Sequence, residues 1–150
     1  MADRTSSSIT VAAGVPTVMG VIADFGAYPD WATGIRSVEV LAVGPGGRPE
    51  RVRFSLDAGV IRDSYVLAYD WDEDRAVRWQ LAEAGSVVTE MSGEYTLTED
   101  SGRTHVRYEL AVGTKMPLGL LKRRAEKTII ETALKGLKSR AESVQGAEHG

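Results

Sequence analysis

Past Pro117 the apolar residues stop recurring at every second position and begin to recur at every third or fourth, a pattern that holds to about Ser143. Leu118, Leu121, Ala125, Ile129, Ala133, Leu137 and Ala141 fall three or four apart, flanked by Ile130 and Leu134. This spacing predicts a long helix with one apolar side. Several successive steps are of four residues, so the stripe drifts around the helix and presents a broad face. Such a helix draws its stability from a large apolar partner rather than from its own backbone. Gly136 lies inside it, where glycine costs roughly 1 kcal/mol against alanine, and so points to a close approach by a neighbouring element.

The partner is legible upstream as a series of segments with period two. Val38 and Val40 alternate with polar neighbours, and the turn Gly44-Pro45-Gly46-Gly47-Arg48-Pro49 follows. Val52, Phe54, Leu56 and Ala58 alternate with Arg51, Arg53, Ser55 and Asp57. Tyr65, Leu67, Tyr69 and Trp71 share one parity, as do Val77, Trp79 and Leu81. Two more strands carry Met91, Gly93, Tyr95 and Leu97, then Val106, Tyr108, Leu110 and Val112. Strands of this spacing, joined by short turns, predict an antiparallel meander with one face buried.

Before them, Ser7, Ile9 and Val11 share one parity of a short first strand. Val15, Val18, Met19 and Ile22 then repeat with helical spacing, with Pro16 in the first turn, where a missing N–H costs nothing. The aromatic, turn-rich stretch Asp24 to Trp31 predicts a second short helix starting near Pro29 and closed by Gly34. The order is one strand, two short helices, six strands and a long helix. The class is α+β, a single domain over residues 5–143 with a frayed tail at 144–150.

At 150 residues and 43% hydrophobic, the chain can bury a core without metal or disulfides. It has no cysteine, which excludes thiolate nucleophiles and Cys-ligated metal, and fits a reducing cytoplasm. A net charge of −3 does not favour nucleic acid. The N-terminal residues show no apolar run behind a basic start, and no segment is apolar for the roughly 20 residues a spanning helix needs, so a soluble, cytoplasmic protein is expected.

With this element order the chain resembles the helix-grip superfamily of START-like, Bet v 1-like and polyketide cyclase/dehydrase-like (SRPBCC) proteins. The resemblance spans about residues 5–143 and rests on that order together with Phe25-Gly-Ala-Tyr28-Pro29-Asp-Trp31, Val77-Arg-Trp79, Gly93-Glu-Tyr95-Thr-Leu97 and Gly102-Arg-Thr104-His-Val106-Arg-Tyr108. It implies a curved seven-stranded antiparallel sheet wrapped around the C-terminal helix, with a cavity between them for a hydrophobic small molecule: a lipid, an isoprenoid quinone or an aromatic polyketide. It also implies an alternative, an aromatase/cyclase acting on a poly-β-ketone chain in the same cavity.

The strand parities place Phe54, Leu56, Tyr65, Leu67, Tyr69, Trp79, Leu81, Met91, Tyr95, Tyr108 and Leu110 inward, with Leu121, Ile129 and Ala133 facing them from the helix. These residues are plain core or the wall of a pocket; the tyrosines favour the second reading as a set, because each buried phenol needs a hydrogen-bond partner. Asp63 shares the inward parity and is the candidate acid or base, if desolvation raises its pKa; the alternative is a solvated position in the turn after Gly59. Arg36, Arg53 and Arg62 are outer-face or rim charges. His105 has outward parity and His149 lies in the tail, so no metal site or Ser-His pair is expected. Neither is any cofactor. Lys115 to Arg124 combines leucines with basic residues, a solvated helix start or a lip for transient contact with an anionic membrane. Monomer and homodimer stay open.

Overall fold

The computed structural model describes residues 4–32, 34–57, 62–115 and 121–149, and the side chains of all of these except 121–123, 125 and 147–149. In chain order the elements are β1 (Thr5–Val11), α1 (Val15–Ala23), a 3-10 turn (Phe25–Ala27), α2 (Tyr28–Trp31), β2 (Ile35–Val43), β3 (Pro49–Asp57), β4 (Arg62–Asp72), β5 (Ala76–Glu83), β6 (Val88–Asp100), β7 (Arg103–Thr114) and α3 (Leu121–His149). The strands form one sheet in the order β1-β7-β6-β5-β4-β3-β2, with antiparallel pairing throughout. The first strand returns beside the last, which leaves β1 and β2 as the edges. Between β6 and β7 the chain reverses through Ser101 and Gly102, both at positive φ (52° and 83°), the backbone that a two-residue hairpin turn requires.

The core forms where the inward parity of the sheet meets the helices. Val52, Val77, Val106 and Leu110 from the strands pack with Val18, Met19 and Ile22 of α1 and with Ile130, Leu134, Leu137 and Ala141 of α3. Each of these valine, leucine, isoleucine and methionine side chains taken from water stabilises the fold by about 1.5–3 kcal/mol. α3 lies nearest β1, β7 and α1, toward one side of the sheet. Gly136 has the close neighbour its position pointed to: a Cβ there would stand 2.5 Å from the Trp31 carbonyl oxygen.

Three expectations need correcting. The first concerns α3, whose buried line runs through Glu126, Ile130, Leu134, Leu137 and Ala141. Ile129 is 45% exposed, because it lies one residue, about a quarter turn, off that line. The second concerns the C-terminal residues, where a tail was expected from 144; α3 instead continues to His149. Val144 packs against the core, and Gln145 Oε1 accepts the Gly14 N–H at 3.2 Å. Glu142 accepts the Ala12 N–H at 2.8 Å and is paired with Lys138 at 2.5 Å. These side chains satisfy backbone donors at the β1–α1 junction, which neither the sheet nor the helix can reach. The third concerns β2. Its register shifts near Ile35 and again between Val40 and Val43, so alternation fails and Val40, Leu41 and Val43 are exposed while Val38 packs inward. Bulges are common on edge strands such as this one.

Candidate functional site

All the chain's aromatic residues, two phenylalanines, five tyrosines and three tryptophans, belong to one connected set of ring contacts. Sheet register explains half of it. Phe54 lies opposite Tyr65, Tyr69 opposite Trp79, and Tyr95 opposite Tyr108, so inward rings on neighbouring strands come into contact, the first pair stacked and the other two tilted. Trp79 lies opposite Gly93, and a Cβ on Gly93 would stand 2.4 Å from the indole. The glycine thus clears the space in which the ring crosses β6 to reach Tyr95 (5.4 Å) and Tyr108 (5.6 Å). The short helical segments supply the rest. Phe25 touches Tyr28, Phe54, Tyr69 and Trp71, and Tyr28 touches Trp31. Trp71 closes the far end, its Nε1 donating to the Pro49 carbonyl at 2.6 Å beneath the Arg48 guanidinium.

Of the residues read as inward, Phe54, Tyr65, Leu67, Trp79, Tyr95, Tyr108 and Leu110 are in the core, and Leu56, Tyr69, Leu81, Met91 and Ala133 pack half-buried against it. The Leu121 side chain lies outside the described residues, as do His149's side chain and residues 116–120 of the basic lip. Phe25, Tyr28, Trp31 and Trp71 were not singled out as site residues, although the first three stand together in the aromatic stretch after α1. Only the tertiary packing of that stretch onto β3 and β4 shows that they complete the set.

The phenols divide into two kinds. Tyr28 donates to the Ile22 carbonyl. The hydroxyls of Tyr65, Tyr69, Tyr95 and Tyr108 make no hydrogen bond among the described residues. Yet the only fully buried polar side-chain atom without a partner, among those residues, is Trp31 Nε1. The four phenol oxygens therefore keep accessible surface, although Tyr65, Tyr95 and Tyr108 as residues are only 6%, 6% and 7% exposed. Burial, with the Asp63 charge adding, pushes Tyr65 up to about 12. Burial also holds Tyr69, Tyr95 and Tyr108 well above the ordinary phenol value, and neighbouring phenols add to it. At neutral pH all four keep their protons and are available as hydrogen-bond donors.

Asp63 does not face this space as an acid or base. Its carboxylate accepts the N–H groups of Ser86 (2.7 Å), Val87 (3.0 Å) and Val88 (2.7 Å) in the β5–β6 turn. Partial burial would raise its pKa, but the hydrogen bonds from Val88, Ser86, Val87 and Ser64 outweigh it and hold the carboxyl below its ordinary value. The expected raised pKa is therefore corrected to a lowered one, and the residue to a turn clasp. Gly85 makes room for the clasp, since a Cβ there would meet the carboxylate at 2.2 Å. Asp63→Ala is expected to cost about 2 kcal/mol at neutral pH, by leaving charge-assisted bonds unmade. A lowered carboxyl stabilises above its unfolded pKa and loses that effect as pH falls through the folded one. Urea denaturation of both proteins should therefore show the difference shrinking as the pH drops below the usual carboxylate range.

The remaining charges are at the periphery. Half-buried Arg53 pairs with exposed Glu39 at 2.9 Å and exposed Arg62 with half-buried Asp57 at 3.5 Å, and Arg36 and His105 are exposed. One buried carboxyl group was not legible as a site residue. Glu126 is 1% exposed on α3, accepting the Thr5 hydroxyl at 2.7 Å and the Val112 N–H at 2.8 Å. Val112 lies two residues past Leu110, the partner of Thr5, so Glu126 takes over a β7 donor beyond the start of β1. Its position within a helical repeat of apolar residues was the available signal.

The sequence matches, over residues 2–142, the family described as polyketide cyclase / dehydrase and lipid transport. No curated protein matches it. Among solved structures it is similar to a START superfamily protein from Mycobacterium smegmatis, with 24% identity, 94% of this chain and 98% of that one covered, and a TM-score of 0.85. It is also similar to the Zhui aromatase/cyclase from Streptomyces sp. R1128, with 24% identity, 95% and 94% covered, and a TM-score of 0.74. A protein of Thermus thermophilus gives 21% identity, 95% and 99% covered, and a TM-score of 0.78. The likenesses to solved structures show the fold, the helix-grip arrangement that the order of elements resembles. Among the described residues no helix is long and apolar enough to cross a membrane. With the family match covering nearly the whole sequence, the chain belongs to the polyketide cyclase / dehydrase and lipid transport family.

Proposed function

We propose that the chain binds and carries a flat, hydrophobic molecule bearing several neutral oxygen acceptors, such as a quinone or an aromatic polyketide, against the aromatic face of the sheet. The observation that carries this reading is the group of four phenols whose hydroxyls lack partners among the described residues, while their rings belong to one connected set of aromatic contacts. Apolar walls with a few convergent polar tips are the usual make-up of a small-molecule site. Because burial keeps these phenols protonated, the complementary ligand presents carbonyl or hydroxyl oxygens. A saturated acyl chain would leave most of the donors unmatched, at a cost of about 1–3 kcal/mol for each buried group left unpaired. The aromatase/cyclase reading uses the same space but requires a group that takes up a proton. The phenols hold theirs and Asp63 is spent on the turn, which favours carriage over turnover.

Native mass spectrometry of gently purified protein, with a thermal-shift screen of a naphthoquinone, a flavonoid and a long-chain fatty acid, tests this. A ligand present at about a hundred times its Kd adds about 2.7 kcal/mol, worth several degrees of Tm in a domain this size. The quinone and flavonoid should give that shift, and a triple Tyr65→Phe, Tyr95→Phe, Tyr108→Phe variant should lose most of it. Absence of any adduct and of any shift would sink the proposal; equal binding by the triple variant would remove the phenols from it.

A further inference from the structure

β5 and β6 are paired only from Ala76–Thr96 to Gln80–Ser92. Beyond that point each strand continues with its other neighbour alone: β5 with β4 as far as Glu83–Val66, and β6 with β7 as far as Val88–Thr114. The two strands therefore part within the sheet, and a space of about 340 Å³ at this point is lined from β5, β6 and the adjoining β7. The space is bounded at both ends. At one end stands the Gln80–Ser92 pair; at the other the Gly85 N–H donates to the Val88 carbonyl at 3.0 Å, and Asp63 holds the turn.

The lining comes from both faces of the sheet. Leu81, Met91 and Val112 line it, and they pack against the core on the inner side. Gln80, Glu90 and Ser92 also line it, and their alternate parity puts them on the outer side. A continuous hydrogen-bonded sheet admits nothing between its strands, which lie about 4.7–4.9 Å apart. A parting with residues of both parities along it leaves room for a route from one face to the other. At its outer mouth Glu90 carries no ion pair among the described residues and lies over Gly113, where a Cβ would come within 3.1 Å of its carboxylate.

We propose that the parting between β5 and β6 is a side portal through which the ligand of the aromatic face enters and leaves, with the Glu90 carboxylate slowing the entry of anions. This rests on the binding reading above and adds a route and a charge selection to it. A portal residue differs from a wall residue in one measurable respect. Narrowing a route changes the association and dissociation rates together and leaves their ratio alone, whereas altering a wall changes the affinity.

Stopped-flow fluorescence with Nile red, a neutral probe, and anilinonaphthalene sulfonate, an anionic one, separates the two. Ser92→Trp, and as an independent plug the exposed Gln80→Trp, should slow both rate constants for Nile red by about tenfold with Kd changed by less than about twofold. Thr96→Trp, on the outer face of β6 away from the parting, should leave the rates as they are. Glu90→Gln should speed association of the anionic probe several-fold and that of Nile red little, with the difference fading as salt rises. Unchanged Nile red rates in both folded plug variants overturn the portal while leaving the binding reading standing. A changed Kd with an unchanged association rate assigns these residues to the wall and also overturns it. If the wild-type protein binds neither probe, the binding reading and the portal fall together.

Discussion

Raising the pH above 10 is expected to unfold this protein through its tyrosines. In the unfolded chain a phenol ionises near its ordinary value of about 10. In the folded chain burial holds Tyr65 up to about 12, and Tyr95 and Tyr108 well above the ordinary value. Below pH 10 both states keep these protons and the stability they confer is fully present. As pH rises from there toward the folded values, the unfolded chain releases protons that the folded chain retains, and stability falls by about 1.4 kcal/mol per pH unit for each phenol. Tyr65, Tyr95 and Tyr108 alone set a limiting slope of roughly 4 kcal/mol per pH unit, and Tyr28 and Tyr69, also raised by burial, add to it. The fall continues up to the folded values, about 12 for Tyr65, and draws on a typical domain stability of only about 5–15 kcal/mol. Tyr95 and Tyr108 reinforce the effect, since rings 4.5 Å apart make two neighbouring phenolates costly. Urea denaturation across this range, with tyrosinate absorbance followed alongside circular dichroism, provides the measurement. The absorbance should rise in the same step in which the fold is lost. Gradual ionisation of all the tyrosines from pH 10 in a protein that stays folded would contradict the burial described above. The triple Tyr→Phe variant should lower the slope, leaving the part that Tyr28 and Tyr69 contribute.

The other large effect belongs to Trp79. Its ring is 7% exposed and touches Tyr69, Tyr95 and Tyr108, with centroids between 5.4 and 5.8 Å. Trp79→Ala is expected to cost about 3–5 kcal/mol, the usual range when a large aromatic is removed from a packed site. The neighbours have little to refill the space with, because the residue facing Trp79 on β6 is Gly93. The converse change is informative at a smaller scale. Gly93→Ala adds one methyl, but its Cβ would stand 2.4 Å from the Trp79 ring and 2.9 Å from the Glu109 carbonyl oxygen. The ring can turn away and the backbone cannot, so a cost of about 1–3 kcal/mol is expected where glycine is normally a liability in a strand. Chemical denaturation of both variants measures it. A neutral Trp79→Ala would mean that the aromatic set does not support the sheet, and a stabilising Gly93→Ala would mean that the two strands stand further apart than described.

Most of the architecture was legible in the residues taken singly and in order. Alternation over β3 to β7 and helical spacing over α3 depend on which side chains are apolar, and that is a local property. The inward parity of Phe54, Tyr65, Trp79, Tyr95 and Tyr108 followed from it directly. Errors arose where local periodicity was interrupted by something distant. β2 loses alternation because an edge strand is free to bulge, with no neighbour on its open side to enforce register. Ile129 was placed inward because a drifting stripe has two plausible centre lines. The line actually buried includes a charged residue, Glu126, which no hydropathy pattern would select. The end of α3 was read as frayed because nothing nearby in sequence holds it; its partners, Ala12 and Gly14, lie 130 and 131 residues away.

The long helix and the alternating strands were thus determined by the sequence itself, because burial of one face is the dominant favourable term and its periodicity is written in the order of residues. Tertiary structure alone decided what the face is for. It brought the aromatic segment after α1 onto β3 and β4, bent the Asp63 carboxylate onto a turn 23 to 25 residues away, and parted β5 from β6 beyond Gln80. Each depends on hydrogen bonds and ring contacts between residues far apart in the chain. Such contacts are set by the geometry of the assembled sheet, and no local pattern encodes that geometry.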